Sequence, residues 1–189
     1  IKMMKNKIHY ILLILFSFTM ISCDPNGMNP EKTFEVCGLS LNKIPYKFSQ
    51  HFREIRAQHK NGSLTYVTQN NEVKKGVSAV EYVENMYPNM FKKEIEALNQ
   101  LVVDDETRPM QKASLDVFKY SEEVYKTDML PIAKMIDDGK SDQEIDAAIE
   151  ELQNTKGKII DEKFNKAHDL IFPYADKHKI KYEIKDYPY

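Results

Sequence analysis

Several residue types that usually mark a fold or a site are scarce in this chain of 189 residues. It has no tryptophan, only 6 glycines and only 2 cysteines. So few glycines argue against a turn-rich all-β domain, and the abundance of Lys, Glu and Asp favours helices instead. The bulky members of the core must therefore come from the 11 tyrosines and 9 phenylalanines.

The two cysteines, Cys23 and Cys37, limit how the fold can be stabilised. If Cys23 is chemically modified, as argued below, a single thiol remains and no internal disulfide can form. The segment Phe34–Gly38 offers no neighbouring base that would turn Cys37 into a thiolate. We therefore expect Cys37 to be a small, partly buried residue and the domain to depend on packing.

The chain also lacks the basic excess of a nucleic-acid-binding protein. Its 27 basic and 29 acidic residues give a formal charge of −2, and residues 1–22 hold three of the lysines and no acid. Without that segment, 24 basic residues face 29 acidic ones, a formal charge of −5. Nucleic-acid binding normally needs a basic surface that neutralises phosphates, so we expect no nucleic-acid partner.

No apolar run reaches the roughly 20 residues that a membrane-spanning helix needs, but the first 23 residues follow a clear pattern. Lys5 and Lys7 precede 14 largely apolar residues, Ile8–Ile21, and Ser22 and Cys23 follow. A short basic segment, an apolar stretch and a small residue before the cut are the layout of a secretory signal peptide. Residues 1–22 are thus predicted to be a cleaved signal peptide.

The four residues Met20-Ile21-Ser22-Cys23 resemble the lipobox of bacterial lipoproteins. In that family the cysteine thiol takes a diacylglycerol, the signal is cut before it, and the new amino terminus is acylated. The resemblance implies a lipid at Cys23 that anchors the protein in the cell envelope, at the outer membrane. Several acyl chains give stable membrane binding, whereas a single chain gives only marginal binding. Met20 departs from the leucine usual in the family. The alternatives are an uncleaved short anchor and a standard signal peptide with an incidental cysteine.

Residues 23–33 are predicted to be the lipid-bearing cysteine and a flexible tether, and residues 34–189 to be one domain. The stretch Asp24–Thr33 contains two prolines, a glycine and two asparagines, which disfavour a regular element. A tether directly after a lipid-bearing residue would let the domain stand clear of the membrane.

Amphipathic stretches predict an all-α domain, an antiparallel bundle of about four helices. The first helix covers 45–60 and stops at Asn61-Gly62, and 64–68 is a short strand or a connector. The second helix covers 72–103, and Pro88 predicts a kink or a short break in it near Met86.

The third and fourth helices complete the predicted bundle. The third covers 109–137, is kinked at Pro131 and ends with Gly139 in a left-handed conformation. A capping box, Ser141 with Glu144, starts the fourth, which runs to about residue 178. Gly157 and Pro173 are its weak points, and Ile159 is assigned to its apolar stripe. Because the connections are short, neighbouring helices should be antiparallel.

Motifs for a metal, a cofactor or a catalytic centre are missing from the sequence. The Glu-x-x-His pattern of di-iron bundles is absent, since no acid stands three residues before any histidine on the predicted helices. The acidic groups at 104–106 and 137–138 lack the alternating spacing of a calcium loop. No nucleophile elbow, phosphate loop or dinucleotide fingerprint occurs. We therefore predict no catalytic residue, no metal and no cofactor, and the protein is not expected to be an enzyme.

Residues 76–181 are similar to a group of uncharacterised bacterial surface lipoproteins built from long helices. The stretches Ile159–His168 and Tyr174–Ile180 are similar to the last helix of that group. The resemblance implies a lipid-anchored helical bundle and no particular activity.

Three hypotheses about function follow from these patterns. The first is a noncatalytic binding or structural module held on the envelope membrane, with an envelope protein as a possible partner. The second is a carrier of a small ligand or haem that uses a cavity in the bundle, on the periplasmic side. The third is a hydrolase whose catalytic residues are dispersed along the sequence.

Overall fold

The computed structural model describes residues 29–45, 47–68 and 70–183, which are mostly helical as predicted. In chain order the elements are α1 (Pro30–Cys37), a 3₁₀ turn (Leu39–Lys43), α2 (Phe48–Lys60), β1 (Thr65–Val67), β2 (Val73–Lys75), α3 (Ala79–Met86), α4 (Lys92–Gln100), α5 (Arg108–Glu123), α6 (Leu130–Asp137), α7 (Asp142–Leu152) and α8 (Lys158–Lys177). Short π-helical turns join α5 to α6 (Val124–Asp128) and α7 to α8 (Gln153–Gly157). The two strands form an antiparallel hairpin in which Val67 pairs with Val73.

Two long arms form the frame of the fold. One arm consists of α5, its π turn and α6, and the other of α7, its π turn and α8. At 1.5 Å per residue the arms are roughly 45 Å and 54 Å long. Three ion pairs link them at intervals. From one end toward the other they are Lys177–Glu106 (2.6 Å), with Glu106 just before α5, Lys163–Asp116 (2.7 Å) and Lys156–Asp128 (3.5 Å). The arms are therefore antiparallel neighbours along their length.

The reversal between the arms follows local signals that the sequence contains. Gly139 has φ +68°, which suits glycine because it carries no Cβ. Ser141 accepts a hydrogen bond from the Glu144 amide, and the Glu144 carboxylate accepts one from the Ser141 amide at 3.0 Å. The predicted left-handed stop and capping box are both confirmed.

The shorter elements pack at the two ends of these arms. At the near end, where α8 finishes, α1 packs against α8, α4 and α5. A Cβ at Gly38 would lie 2.9 Å from the Ile171 side chain, so this glycine allows the close approach of α1 to α8. At the far end, where α6 passes into α7, lie α2, the hairpin and the start of α3.

The two π turns share a chemistry that stabilises them. A π turn widens the helix and leaves a carbonyl without its usual partner. In the first turn the Thr127 hydroxyl donates to the Glu123 carbonyl at 2.7 Å, and in the second the Thr155 hydroxyl donates to the Glu151 carbonyl at 2.7 Å. The first turn also precedes Pro131, whose ring would clash with a carbonyl four residues back in a regular helix.

The extra residue in the second π turn changes which side chains face the core. Sequence periodicity placed Ile159 in the apolar stripe, but Ile159 is 38% exposed and Ile160 is buried. A π turn advances the stripe by almost one position, so the residues after it that point inward are Ile160, Ala167, Ile171 and Tyr174. The assignment of Ile159 was wrong for this reason.

Between α1 and α2 the chain passes the middle of the arms at residues 44, 45 and 47, which we call the crossing segment. Both π turns hold this crossing segment. The Tyr125 hydroxyl, in the first π turn, donates to the Pro45 carbonyl at 2.8 Å. The Gln153 side chain, in the second, accepts from the Phe48 amide at 3.2 Å and so caps the start of α2.

Two sequence boundaries need correction. Residues 30–33 belong to α1, which begins with Asn29 as its cap, because Pro30 suits a first helical turn and the Asn29 side chain accepts from the Lys32 amide. The predicted tether therefore reached too far, and the domain starts at about residue 29.

The predicted second helix over 72–103 is also wrong in part. Residues 73–75 form β2, and Val73 and Val102 are more than half exposed. The remainder is two helices, α3 and α4, separated at 87–91 around Pro88. The stripe of Val83, Tyr87, Phe91 and Leu98 is nevertheless buried, because its spacing suits both the helices and the turn between them.

Candidate functional site

The predicted lipid site, Cys23, lies outside the described residues. The structure does describe where the chain enters the domain, at Asn29, only six residues further on. The α1 helix that begins there packs on α8, and the ring of its Phe34 lies 5.7 Å from that of Tyr182. A group attached at Cys23 would thus be joined to the near end of the arms.

At the far end, the carboxylate of Asp137 joins three elements. One oxygen accepts hydrogen bonds from the Ala79 amide (2.7 Å) and lies 3.0 Å from the His59 ring; the other accepts from the Val80 amide (2.9 Å). A carboxylate at a helix N-terminus satisfies amides that lack partners inside the helix. Asp137 therefore fixes the start of α3 against the ends of α2 and α6.

Beside this junction is a shallow cleft of about 270 Å³. It lies between α2, α6 and α7, and its lining consists of Arg56, Ala57, His59, Lys60, Ile136, Lys140, Asp142 and Ile145. The guanidinium of Arg56 donates to Asp146 at 2.5 Å and also to Asp142. These contacts hold α2 against α7 and orient the wall of the cleft.

The cleft is lined mainly by charged side chains. Its lining offers cationic groups on Arg56, Lys60 and Lys140, one carboxylate on Asp142, the imidazole of His59 and short apolar surfaces. It contains no hydroxyl or thiol nucleophile among its lining residues. Lys60 has no ion-pair partner among the described residues, so its ammonium group is available to an acidic partner.

A second group of polar side chains lies inside the fold near the crossing segment. The Nδ1 atom of His51 is 3.2 Å from the Tyr87 hydroxyl, and the His51 ring also packs edge-on against Tyr125. Burial lowers the pKa of His51, and it raises the pKa of Tyr87 and of Tyr125 far above the ordinary tyrosine value. All three side chains are therefore neutral at pH 7, as packing residues of the core are.

Cys37 is fully buried, deeper than the partly buried position that the sequence suggested. The Ser114 hydroxyl donates to the Cys37 carbonyl at 2.7 Å and links α1 to α5. Burial raises the pKa of the Cys37 thiol to about 12. Because the thiolate is the nucleophile, this side chain is unreactive in the folded protein.

The acidic residues at 104–106 have a structural explanation. The Asp104 side chain accepts from the amides of Glu106 (3.0 Å) and Thr107 (2.8 Å) and from the Thr107 hydroxyl (2.8 Å), just before α5. The bonds from Thr107, followed by that from the Glu106 amide, lower the pKa of Asp104. Across residues 29–45, 47–68 and 70–183, no cluster of three or more His, Cys, Asp or Glu side chains is arranged to hold a metal ion.

Sequence reasoning missed the residues that build these contacts. Arg56 and Asp137 looked like ordinary surface charges, since their partners lie far away in the chain. Tyr125 and Gln153 carried one weak signal: each lies inside a Glu-x-x-x-Thr stretch, Glu123–Thr127 or Glu151–Thr155, in which the threonine supports a π turn.

Comparison of the chain with protein-family models, with curated proteins and with solved structures finds no match in any of the three. None of the helices in the described ranges is both long and apolar enough to cross a membrane.

Proposed function

We propose that this protein is a lipid-anchored lipoprotein of the cell envelope, at the outer membrane, and that it is a noncatalytic binding or structural module. In this proposal the signal peptide over residues 1–22 is removed and Cys23 carries the lipid. The mature chain is an antiparallel bundle of about four helices. In this count each of the two long arms is taken as one helix. Membership of the helical surface lipoproteins that residues 76–181 resemble is part of the same proposal.

The observation that carries the proposal is the basic and apolar segment that ends at Ser22-Cys23, and the position of the chain entry is compatible with it. Asn29 lies at the near end of arms that are roughly 45 Å or more long, and Cys23 precedes it by six residues. Six extended residues span at most about 20 Å. A lipid at Cys23 would therefore keep the near end within about 20 Å of the membrane, while the hairpin and the cleft lie at the opposite end of the arms.

The anchor is tested by replacing Cys23 with Ser. We expect the wild-type chain to incorporate labelled fatty acid and to sediment with membranes, and the Cys23→Ser chain to do neither, because no thiol remains for the diacylglycerol. The matched control is Cys37→Ser, which should keep both properties. Membrane association of Cys23→Ser at its original mass, or a wild-type chain that never takes up label, would refute the proposal.

The binding role is tested at the cleft. Envelope extracts are passed over the chain beginning at Asp24, and we expect one envelope protein in stoichiometric amount. The double variant Lys60→Glu with Lys140→Glu should lose it, since both cations line the cleft. Lys166→Glu, an exposed charge on α8 remote from the cleft, should retain it. Equal recovery by both variants would exclude the cleft as the binding surface.

A further inference from the structure

The β1–β2 hairpin at the far end has one strand fixed to the domain and one strand open to solvent. Tyr66, in the middle of β1, is buried, and its hydroxyl donates to the Glu81 carboxylate on α3 at 3.1 Å. This contact packs β1 against α3. All three residues of β2 are exposed, so β2 is the open strand of the hairpin.

The backbone of β2 has unpaired polar groups along its outer edge. The Thr68 amide donates to the Glu72 carbonyl at 2.8 Å, so these two residues form a hydrogen-bonded pair. Hydrogen-bonded and non-hydrogen-bonded pairs alternate along an antiparallel ladder, so the next pair, Val67 with Val73, is of the second kind. The same alternation applies to Lys75, two residues further on. The amides and carbonyls of Val73 and Lys75 therefore point away from β1, and they have no hydrogen-bond partner in the described part of the chain.

The side chains beside this edge combine an apolar patch with positive charge. Val67 and Val73 are 57% and 54% exposed, and as a cross-strand pair their side chains lie next to each other. Lys75 shares their face of the hairpin, because alternate residues of a strand point to the same side. Its ammonium group has no ion-pair partner among residues 29–45, 47–68 and 70–183. Lys74, on the other face, lies 3.3 Å from Glu72, and both are exposed.

We propose that β2 is a docking edge for an extended acidic segment of a partner protein. The segment adds a third strand to the hairpin: its carbonyls accept from the outward amides of Val73 and Lys75, and its amides donate to their carbonyls. An apolar side chain of the segment packs on the valine pair, and acidic side chains lie beside Lys74 and Lys75.

Charge decides against a second copy of this chain as the occupant. Pairing of β2 with β2 of another copy would bring Lys74 and Lys75 of both strands together, and like charges directly opposite each other destabilise a sheet. The same lysines discourage pairing with the uncharged edges of other sheets. An acidic strand is therefore the occupant that suits this edge.

The test uses a fluorescein-labelled peptide, Glu-Glu-Val-Thr-Val-Glu-Glu. Its sequence reads the same in both directions, so a strand of either orientation presents a valine followed by two glutamates. Fluorescence anisotropy with the full chain, purified in mild detergent, should show saturable binding that weakens as salt is added. The same peptide with lysine in place of each glutamate should not bind.

Val73→Pro removes one outward amide and leaves the ladder with β1 intact, because Val73 is the first residue of β2 and its N–H points outward. We expect about tenfold weaker peptide binding, since a carbonyl of the peptide loses its donor. The matched control is Val67→Pro, which removes the amide of the same cross-strand pair that faces away from β2 and should bind as the wild type does. Lys75→Glu should weaken binding at low salt, and thermal melts show that each variant is folded.

The proposal is overturned if the wild type shows no saturable binding, or if Val73→Pro and Val67→Pro bind the peptide equally. It is also overturned if Lys60→Glu with Lys140→Glu loses the peptide while Val73→Pro keeps it, since the cleft would then be the acidic site. A wild-type dimer on size exclusion that Val73→Pro dissociates would mean that a second copy occupies the edge. None of these measurements requires a lipid at Cys23 or a partner in the cleft, so their failure leaves the proposed function standing.

Discussion

Replacing Gly157 with Ala tests the geometry of the second π turn, because two effects of similar size oppose each other there. Gly157 has φ −58° and ψ −43°, which alanine adopts without strain, and the exchange in a helix is worth about 1 kcal/mol of stability. However, a Cβ at this position would lie 2.4 Å from the Gln153 side-chain nitrogen. The side-chain amide of Gln153 must then move, and its oxygen loses the hydrogen bond that it accepts from the backbone amide of Phe48. This loss costs about 1 kcal/mol.

We therefore expect Gly157→Ala to change the free energy of unfolding by less than about 0.5 kcal/mol in the wild-type background. In a Gln153→Ala background there is no amide to displace, and the same exchange should stabilise the protein by about 1 kcal/mol. The difference is a coupling energy that a double-mutant cycle measures.

Urea unfolding of the four chains, followed by circular dichroism, supplies the free energies of unfolding. The chain beginning at Asp24 is suitable for this experiment. If Gly157→Ala stabilises both backgrounds equally, Gln153 does not cap α2 and our description of the π turn is incorrect.

Three further outcomes are expected. Tyr125→Phe should lower the free energy of unfolding by about 1 kcal/mol in urea titrations, because the Pro45 carbonyl loses its donor; an unchanged midpoint would contradict this contact. Cys37 should react with a maleimide at pH 8 only after unfolding. The free energy of unfolding should fall as the pH rises from about 9 toward 12, since the thiol ionises in the unfolded chain first. Cys37→Ala should show a smaller fall over the same pH range. Because burial lowers the pKa of His51, protonation favours the unfolded chain, and stability should fall as the pH drops below about 6.5; His51→Phe should flatten this dependence, and an equal slope would refute it.

Local signals in the sequence were sufficient where neighbours in the chain decide the structure. The capping box at Ser141, the left-handed Gly139 and the apolar face of Phe48, Phe52 and Ile55 are all present as predicted. Each depends on residues within a few positions of one another, so spacing alone identifies it.

Predictions from the sequence were wrong where contacts between distant residues, or competing local signals, decide the structure. Asn29 and Pro30 fit a loop and also the first turn of a helix, and packing of α1 against α8 favours the helix. Val73 continued an apolar helical period, but it lies in a hairpin strand opposite Val67. The cleft was not predictable for the same reason, because α2, α6 and α7 meet there only in the folded chain.

The crossing segment at residues 44, 45 and 47 has a mechanical consequence. It leads the chain from α1 to α2, and hydrogen bonds tie it at Pro45 to one arm and at the adjoining Phe48 to the other. A pull applied at the first residues of the domain would reach these two hydrogen bonds before it reached the helix beyond Phe48. Tension at the near end would have to break these two hydrogen bonds before it could pull α2 away from the arms.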